Sequence, residues 1–258
     1  MTRRRVVSAA IVVGVAVLLC MPHGDPNRVD LAATFLAPGP GHPLGTDNLG
    51  RDVWSRVVLG LSRTLTVMIL ATGLSALVGG LLGMIAGYLG GPTRALIMLA
   101  TDLVLIVPTF VGALIFAALF GLTPVSAGIV LGLFGIGPYV NQACALTEAV
   151  RGRAFLQIET LLGTPTPVIV ARHIAPAVMR PLAVYLGASA ANAVLAYAGL
   201  AFIGLGVDTT LPDWGTMLYD YRVHLSDHPL LVLWPTLGIA ILALSAHAVF
   251  DEAEGKTP

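Results

Sequence analysis

Long stretches of this sequence contain no charged side chain, and they constrain the fold more than any other feature. The longest are residues 64–93, 103–147 and 181–207. About 20 consecutive apolar residues are needed to cross the hydrocarbon core of a bilayer, whereas apolar runs of about 10 to 14 residues are typical of a buried core helix. Charged residues make up only 11% of the chain, against about 25% in soluble domains. The sequence therefore predicts an all-α integral membrane protein.

Apolar stretches of sufficient length predict about six transmembrane helices. They are roughly Val6–Met21, Thr64–Leu89, Ala95–Phe120, a fourth from Pro124 to Thr147, Pro181–Gly206 and Pro229–Phe250. Three arginines, Arg3 to Arg5, precede the first stretch, and the residues before Cys20 are too large for a cleavage site, so we expect an uncleaved signal-anchor. Arginine bias in the loops then places both termini in the cytoplasm.

These spans divide the chain into four parts. The signal-anchor helix occupies residues 1–22, and an extracytoplasmic segment with the run GTDNLGRD occupies residues 23–63. A transmembrane core follows at 64–251, with a cytoplasmic loop at 148–180 inside it, and residues 252–258 form a cytoplasmic tail.

Several functional classes find no support in the sequence. The net charge of zero argues against binding to nucleic acid. Cys20 and Cys144 lie far apart in apolar segments, so no disulfide framework or metal site is predicted from them. The phosphate-binding pattern G-x-x-x-x-G-K-[ST] does not occur. We therefore predict no metal, no bound cofactor and no catalytic residues in this chain.

Two features inside the predicted spans have more than one interpretation. Gly79, Gly83 and Gly87 are four residues apart and so share a helix face, which lets another helix approach closely. This face is either an ordinary packing surface or an interface that moves. Asp102 is the one acid within an apolar run, and a buried acid in a membrane is a functional candidate by default. The alternative is a capped or paired structural acid near the interface, about two turns from Arg94.

The loop at 148–180 contains a short predicted helix, Ala154 to Leu162. Phe155, Ile158 and Leu162 would form an apolar stripe on it, and Gly163 would end it. A short capped helix of this kind fits either a partner's groove or the membrane interface.

The run FLQIETLLGTPTPVIVARHIAP, from Phe155 to Pro176, resembles the EAA loop of ABC importer permeases. Gly163 and Ile174 match that pattern, and Gln157 replaces the family's glutamate with an uncharged amide. The resemblance implies a segment that couples the permease to an ATPase. Its predicted residues are Phe155, Gln157, Ile158, Glu159, Leu162, Gly163, Arg172, His173 and Pro176.

A longer resemblance covers the chain from His42 to about Pro235. The run HPLGTDNLGRDVWSRVVLGLSR, from His42 to Arg63, resembles the C-type permease subunits of the dipeptide and oligopeptide family. The runs AGYLGG, FIGLG and PDWG follow in that family's order. Tyr197 stands where the family usually has an acidic residue.

This resemblance implies a type I ABC importer permease in the bacterial cytoplasmic (inner) membrane, with one N-terminal helix, a five-helix core and a short cytoplasmic coupling helix. The implied partners are a homologous second permease subunit, two ATP-binding subunits that hold ATP and Mg, an extracytoplasmic peptide-binding protein and the lipid bilayer. The implied cargo is a dipeptide or oligopeptide. Nickel or another small solute is the alternative, and an embedded enzyme or a passive channel fits less well.

The external segments would then meet the binding protein and the mouth of the pathway. The predicted residues are Asp47, Arg51, Asp52, Asp213 and Trp214. Local pairing among Asp47, Arg51, Asp52 and Arg56 into a structural elbow is the simpler interpretation of that group.

Overall fold

The computed structural model describes residues 24–204 and 210–250, together with the isolated Gly14 and Met21. Within these ranges the chain is helical, with two isolated β-bridges and no strand. The predicted signal-anchor at Val6–Met21 lies almost entirely outside the described residues, as does the predicted tail at 252–258.

The described residues form nine α-helices. In chain order they are α1 (Val53–Leu89), α2 (Gly91–Ile106), α3 (Thr109–Phe120), α4 (Pro124–Phe134), α5 (Ile136–Arg151), α6 (Ala154–Leu161), α7 (Thr166–Ile203), α8 (Trp214–Tyr221) and α9 (Pro229–Phe250). Helix α1 contains a π-helical turn at Ser75–Gly79, and α7 contains one at Val170–Ile174. Such turns insert an extra residue into the helical ladder.

Three of these helices, α1, α7 and α9, are long and apolar enough to cross a membrane alone. Two bent pairs qualify jointly: α2 with α3, at 74°, and α4 with α5, at 42°. The described residues therefore hold up to five spans, at the places where the sequence predicted them. The sixth predicted span is the one outside the described residues.

The structure corrects three boundaries. The third span is broken at Val107 and Pro108, because proline has no N–H to donate and forces the preceding residue into an extended conformation. Helix α1 begins at Val53 instead of Thr64, because the Asp52 side chain accepts from the Ser55 N–H and caps it there. Helix α7 begins at Thr166, inside the predicted loop, and carries Pro181 within the helix.

The glycine face on α1 lies directly against α5. A Cβ added at Gly79 would lie 2.6 Å from the Tyr139 Cβ, and one at Gly83 would lie 2.4 Å from the Val140 carbonyl oxygen. At Gly87 it would lie 2.6 Å from the Cys144 carbonyl oxygen. The glycine face therefore lies at a close backbone contact between α1 and α5, as either of the two predicted interpretations requires.

Buried side chains form three clusters along the bundle. One surrounds Val67 and Tyr197, a second joins the start of α1 to Trp214 and α9, and a third includes Tyr139, Leu156 and Ile169. The second and third clusters lie at opposite ends of the bundle. We call the end of the bundle with the second cluster the Asp47 end, and the end with the third cluster the α6 end.

The contact between α1 and α5 gives a testable prediction. Gly83→Ala should lower the free energy of unfolding by about 1–3 kcal/mol, because the new methyl group has no room beside α5. Thermal unfolding in detergent micelles measures this. Gly73→Ala is the matched control, since a Cβ there meets nothing within 4 Å. If the two variants lose the same free energy of unfolding, the contact between α1 and α5 at Gly83 is not tight.

Candidate functional site

A buried side chain anchors helix α6 to the bundle. Leu156 is only 3% exposed and packs in the cluster that contains Ile169 and Ile174 of α7. Only two residues, Gly152 and Arg153, separate α5 from α6, and the Leu156 N–H donates to the Arg153 carbonyl oxygen at 3.1 Å. The helix is therefore attached to α5 through the chain and to α7 through packing.

Gly163 ends α6 as the sequence predicted, one residue after its C-cap, Leu162. Its φ of +78° lies in the left-handed region, which glycine adopts without steric cost. The Gly163 N–H donates to the Thr160 carbonyl oxygen, and the Thr164 N–H donates to that of Glu159, both at 3.1 Å. These two bonds form a Schellman motif. A Cβ at Gly163 would meet nothing within 4 Å, so the requirement for glycine is conformational.

Two predicted coupling residues hold α6 against the π-helical turn of α7. Glu159 accepts from the Thr164 hydroxyl at 2.6 Å, and its other carboxylate oxygen lies 3.8 Å from the His173 Nε2. The Phe155 ring meets the His173 ring edge-on, with the centroids 5.7 Å apart. The structure thus brings Phe155, Glu159, Gly163 and His173 together. Arg172 and Pro176 are exposed, and the Gln157 side chain is outside the described part.

An apolar surface covers the outer side of α6. Ile158 is 56% exposed and Leu161 is 86% exposed, and Phe155 and Leu162 extend this surface at either end. The predicted stripe therefore points away from the bundle at Ile158 and Leu162, whereas the half-exposed Phe155 ring also contacts His173. The sequence did not single out Leu161, the most exposed of the four, or Leu156 as the anchor.

One ion pair and one cation–π contact link the helices beside α6. The Arg94 Nε lies 2.9 Å from a Glu148 carboxylate oxygen, which joins α2 to α5, and the Arg151 guanidinium lies over the Tyr88 ring. A cleft of about 830 Å³ separates this group from Leu156 and Thr160 of α6.

At the Asp47 end, one buried carboxylate organises the run GTDNLGRD. Asp47 accepts from the N–H groups of Leu49 and Arg51, both at 2.9 Å, and from the Arg51 Nε at 2.7 Å. The Tyr221 hydroxyl of α8 donates to it at 3.1 Å, and the buried Arg56 Nε lies 3.9 Å away. Of the predicted elbow, Asp47, Arg51 and Arg56 lie together, whereas Asp52 pairs with the His42 Nδ1 at 2.9 Å. The sequence did not predict that Tyr221, 174 residues later in the chain, would complete the elbow.

Asp52 and Asp213 both cap helices. Asp52 caps α1 and accepts from the Ser55 hydroxyl at 2.6 Å. Asp213 caps α8, accepts from the Gly215 N–H at 2.9 Å and lies 3.8 Å from the Arg63 Nε. Burial raises the pKa of the Asp213 carboxyl, although the Tyr197 hydroxyl, the Gly215 N–H and the Arg63 charge favour its ionised form.

Trp214 fills the space between α8 and α1. Its indole N–H donates to the Val57 carbonyl oxygen at 3.0 Å, and a Cβ at Gly60 would lie 2.6 Å from its ring. Like Trp214, Asp47 and Asp213 are buried. Their predicted role toward a binding protein remains a prediction, because in this chain their contacts are internal.

The structure corrects the expectation that Asp102 is a buried acid. Its side chain is exposed on α2, with no salt bridge to Arg94, which instead pairs with Glu148. The reason is geometric, since the neighbouring Thr101 faces the bundle and a helix turns by about 100° per residue.

A family model and several curated proteins are similar to this chain, and all of them are named as membrane transport components. The sequence model of the family described as "binding-protein-dependent transport system inner membrane component" matches residues 79–252. The probable D,D-dipeptide transport system permease protein of Escherichia coli strain K12 is 30% identical over 227 residues, which cover 88% of this chain and 76% of that protein.

Two further relatives carry other cargo in their names. The nickel transport system permease protein of Escherichia coli strain K12 is 29% identical over 231 residues, covering 88% of this chain and 82% of that protein. The glutathione transport system permease protein of Pectobacterium atrosepticum is 26% identical over 231 residues, covering 90% and 77% respectively.

The Asp47 network gives a second prediction. Asp47→Asn should lower the free energy of unfolding by about 3 kcal/mol, because Arg51 and Arg56 would remain buried without a carboxylate. Thermal unfolding in detergent measures this loss. Asp227→Asn, at an exposed position near the same end, is the control and should change little. A loss of the same size in both variants would show that the Asp47 carboxylate does not organise this end.

Proposed function

This chain belongs to the family of binding-protein-dependent transport system inner membrane components, and from that premise we propose that it forms half of the pathway by which an ATP-driven importer takes up dipeptides or oligopeptides. Members of this family are multi-pass permeases of the inner membrane, and ATP hydrolysis in such importers is carried by separate subunits.

The exposed apolar surface on α6 is the observation that carries the coupling role. Ile158 and Leu161 present apolar groups at one end of the bundle, on a helix whose position is fixed by Leu156 and by the cap at Gly163. A short rigid helix with an apolar face suits the groove of a partner protein. We assign that groove to an ATP-binding subunit, so the α6 end faces the cytoplasm.

The contacts of α6 supply a route for movement. A displacement of α6 passes to α5 through Arg153 and Gly152, and to α7 through Glu159 and His173. Helix α5 is in close contact with α1 along the glycine face. Converting a 1:99 equilibrium of two conformations to 99:1 requires about 5.5 kcal/mol, which nucleotide binding and hydrolysis can deliver.

The proposed complex contains four kinds of chain. A homologous second permease completes the pathway, two ATP-binding subunits hold ATP and Mg at the α6 end, and an extracytoplasmic binding protein delivers cargo at the Asp47 end. The elbow around Asp47 and the caps at Asp52 and Asp213 would keep that end in one shape for the binding protein. In this arrangement both termini are cytoplasmic, and residues 1–22 form the signal-anchor.

A peptide is the cargo that the relatives favour. Two of the three are named for D,D-dipeptide or glutathione, which are peptide compounds, and one is named for nickel. Nickel, or another small solute, is therefore the second candidate.

Gly163→Val tests the coupling role. The β-branched side chain is strained at a φ of +78°, at a cost of about 1–2 kcal/mol, and the cap that fixes α6 should open. We expect ATP-driven uptake by reconstituted vesicles to fall about tenfold, the factor that corresponds to about 1.4 kcal/mol, while membrane insertion is unchanged.

Gly163→Asn is the matched control, because asparagine tolerates left-handed backbone better than valine does, and it should retain most of the uptake. Normal uptake by Gly163→Val would contradict the coupling role.

The cargo is tested separately in wild-type vesicles. We expect the binding protein loaded with peptide to stimulate ATPase activity, and the binding protein loaded with nickel not to do so. The reverse pattern would replace the peptide with the metal ion as cargo.

A further inference from the structure

The segment around the break in the bent pair α2–α3 is largely exposed within the described chain, although Leu105 lies against Gly137 of α5 and Phe110 against Gly199 of α7. All residues from Asp102 to Val111 are exposed, including the last turn of α2, the break and the first residues of α3. This run lies within the bent pair of helices that is long and apolar enough to form one span. What it faces in the assembled protein follows from two independent observations.

The first observation is the Asp102 carboxylate. Asp102 lies eleven residues beyond Gly91, about 16 Å along the α2 axis at 1.5 Å per residue. If α2 and α3 together form one span, that position lies inside the hydrocarbon core and not at its edge. The ion pairs and side-chain hydrogen bonds among the described residues do not involve it. An exposed acid at such a depth is too costly to face lipid, so its surroundings are water or protein.

The second observation is the exposed backbone at the break. The Val107 N–H donates to the Val104 carbonyl oxygen at 3.3 Å, one residue short of the helical partner, and Pro108 has no N–H at all. The last carbonyl groups of α2 therefore lack helical donors. Irregular backbone at membrane depth occurs where it is buried in protein or lines a water-filled cavity, not against lipid.

We propose that the Asp102–Pro108 face, meaning the exposed side of residues 102–108, lines the translocation pathway and binds a positively charged group of the cargo. The carboxylate and the free carbonyl groups at the negative end of the α2 dipole form a surface that attracts cations. For a peptide the group is the terminal ammonium. The cargo assignment rests on the proposed function.

The rest of this face suits transient contact with a peptide. Leu103 and Ile106 are among the most exposed apolar residues of α2, and both follow Asp102 within about one helical turn. Apolar side chains of the cargo can lie on them while the ammonium group pairs with Asp102. A single carboxylate beside an apolar surface binds weakly enough to release its ligand, which a translocation pathway requires.

A cationic side chain of the second permease subunit is the competing partner for Asp102. In that case the face would be covered by protein and inaccessible to water. The two arrangements differ in whether a water-soluble reagent reaches residues beside Asp102.

The test uses Ile106→Cys, one helical turn from Asp102, in the assembled complex with Cys20→Ala and Cys144→Ala. Rates of modification are measured for a cationic methanethiosulfonate with a trimethylammonium group and an anionic one with a sulfonate group. We expect the cationic-to-anionic rate ratio to fall about tenfold when Asp102→Asn is added, because a nearby carboxylate concentrates cations. Glu148→Gln, an acid already paired with Arg94, is the control and should leave the ratio unchanged.

Two results would overturn the inference. The first is a thiol at position 106 that neither reagent reaches in any nucleotide state, which would mean that the partner subunit covers the face. The second is a rate ratio that Asp102→Asn does not change. Labelling and peptide uptake are measured separately. If the complex imports peptide but Asp102→Asn leaves the cationic-to-anionic rate ratio unchanged, this inference is wrong and the proposed function still holds. If the rate ratio changes but the complex does not import peptide, the peptide cargo is wrong and the cation-binding face still holds.

Discussion

The close contact between the backbones of α1 and α5 is the constraint on which the rest of the structure depends. In a bilayer, helices gain little from burying apolar groups against one another, so close packing has to hold them together. Gly79, Gly83 and Gly87 allow this because a methyl group at any of them would overlap α5. Helix α5 leads directly into α6, and α1 begins beside the Asp47 elbow. The close contact between α1 and α5 therefore connects the Asp47 end of the bundle to the α6 end.

The two ends differ in how their polar groups are satisfied. At the Asp47 end, carboxylates are buried and accept several hydrogen bonds each, which fixes the turn before α1 and the start of α8. At the α6 end, apolar side chains are exposed, and the interactions that hold α6 are the Leu156 anchor, the Gly163 cap and the contacts of His173. One end thus has a fixed shape within the chain, whereas the other has a surface that a partner can complete.

The sequence predicted the helical spans and the cap at Gly163 because both follow from local rules: apolar length and the conformational freedom of glycine. It predicted the glycine face for the same reason, since a spacing of four residues is visible in the sequence. It did not predict that Tyr221 would meet Asp47, because that pairing depends on how distant helices pack. The side of α2 that Asp102 occupies, and the break at Pro108 as a bend of 74°, likewise depend on tertiary structure.

Cysteine cross-linking at α6 tests the central claim, that this helix receives work from a separate ATPase. Leu161→Cys places a thiol at the most exposed position of α6, and Leu31→Cys places one at a comparably exposed leucine, 71% accessible, before α1 at the Asp47 end. In the assembled complex, position 161 should cross-link to an ATP-binding subunit with a yield that changes on adding nucleotide, and position 31 should not. A cross-link to that subunit from position 31, or none from position 161, would contradict the account.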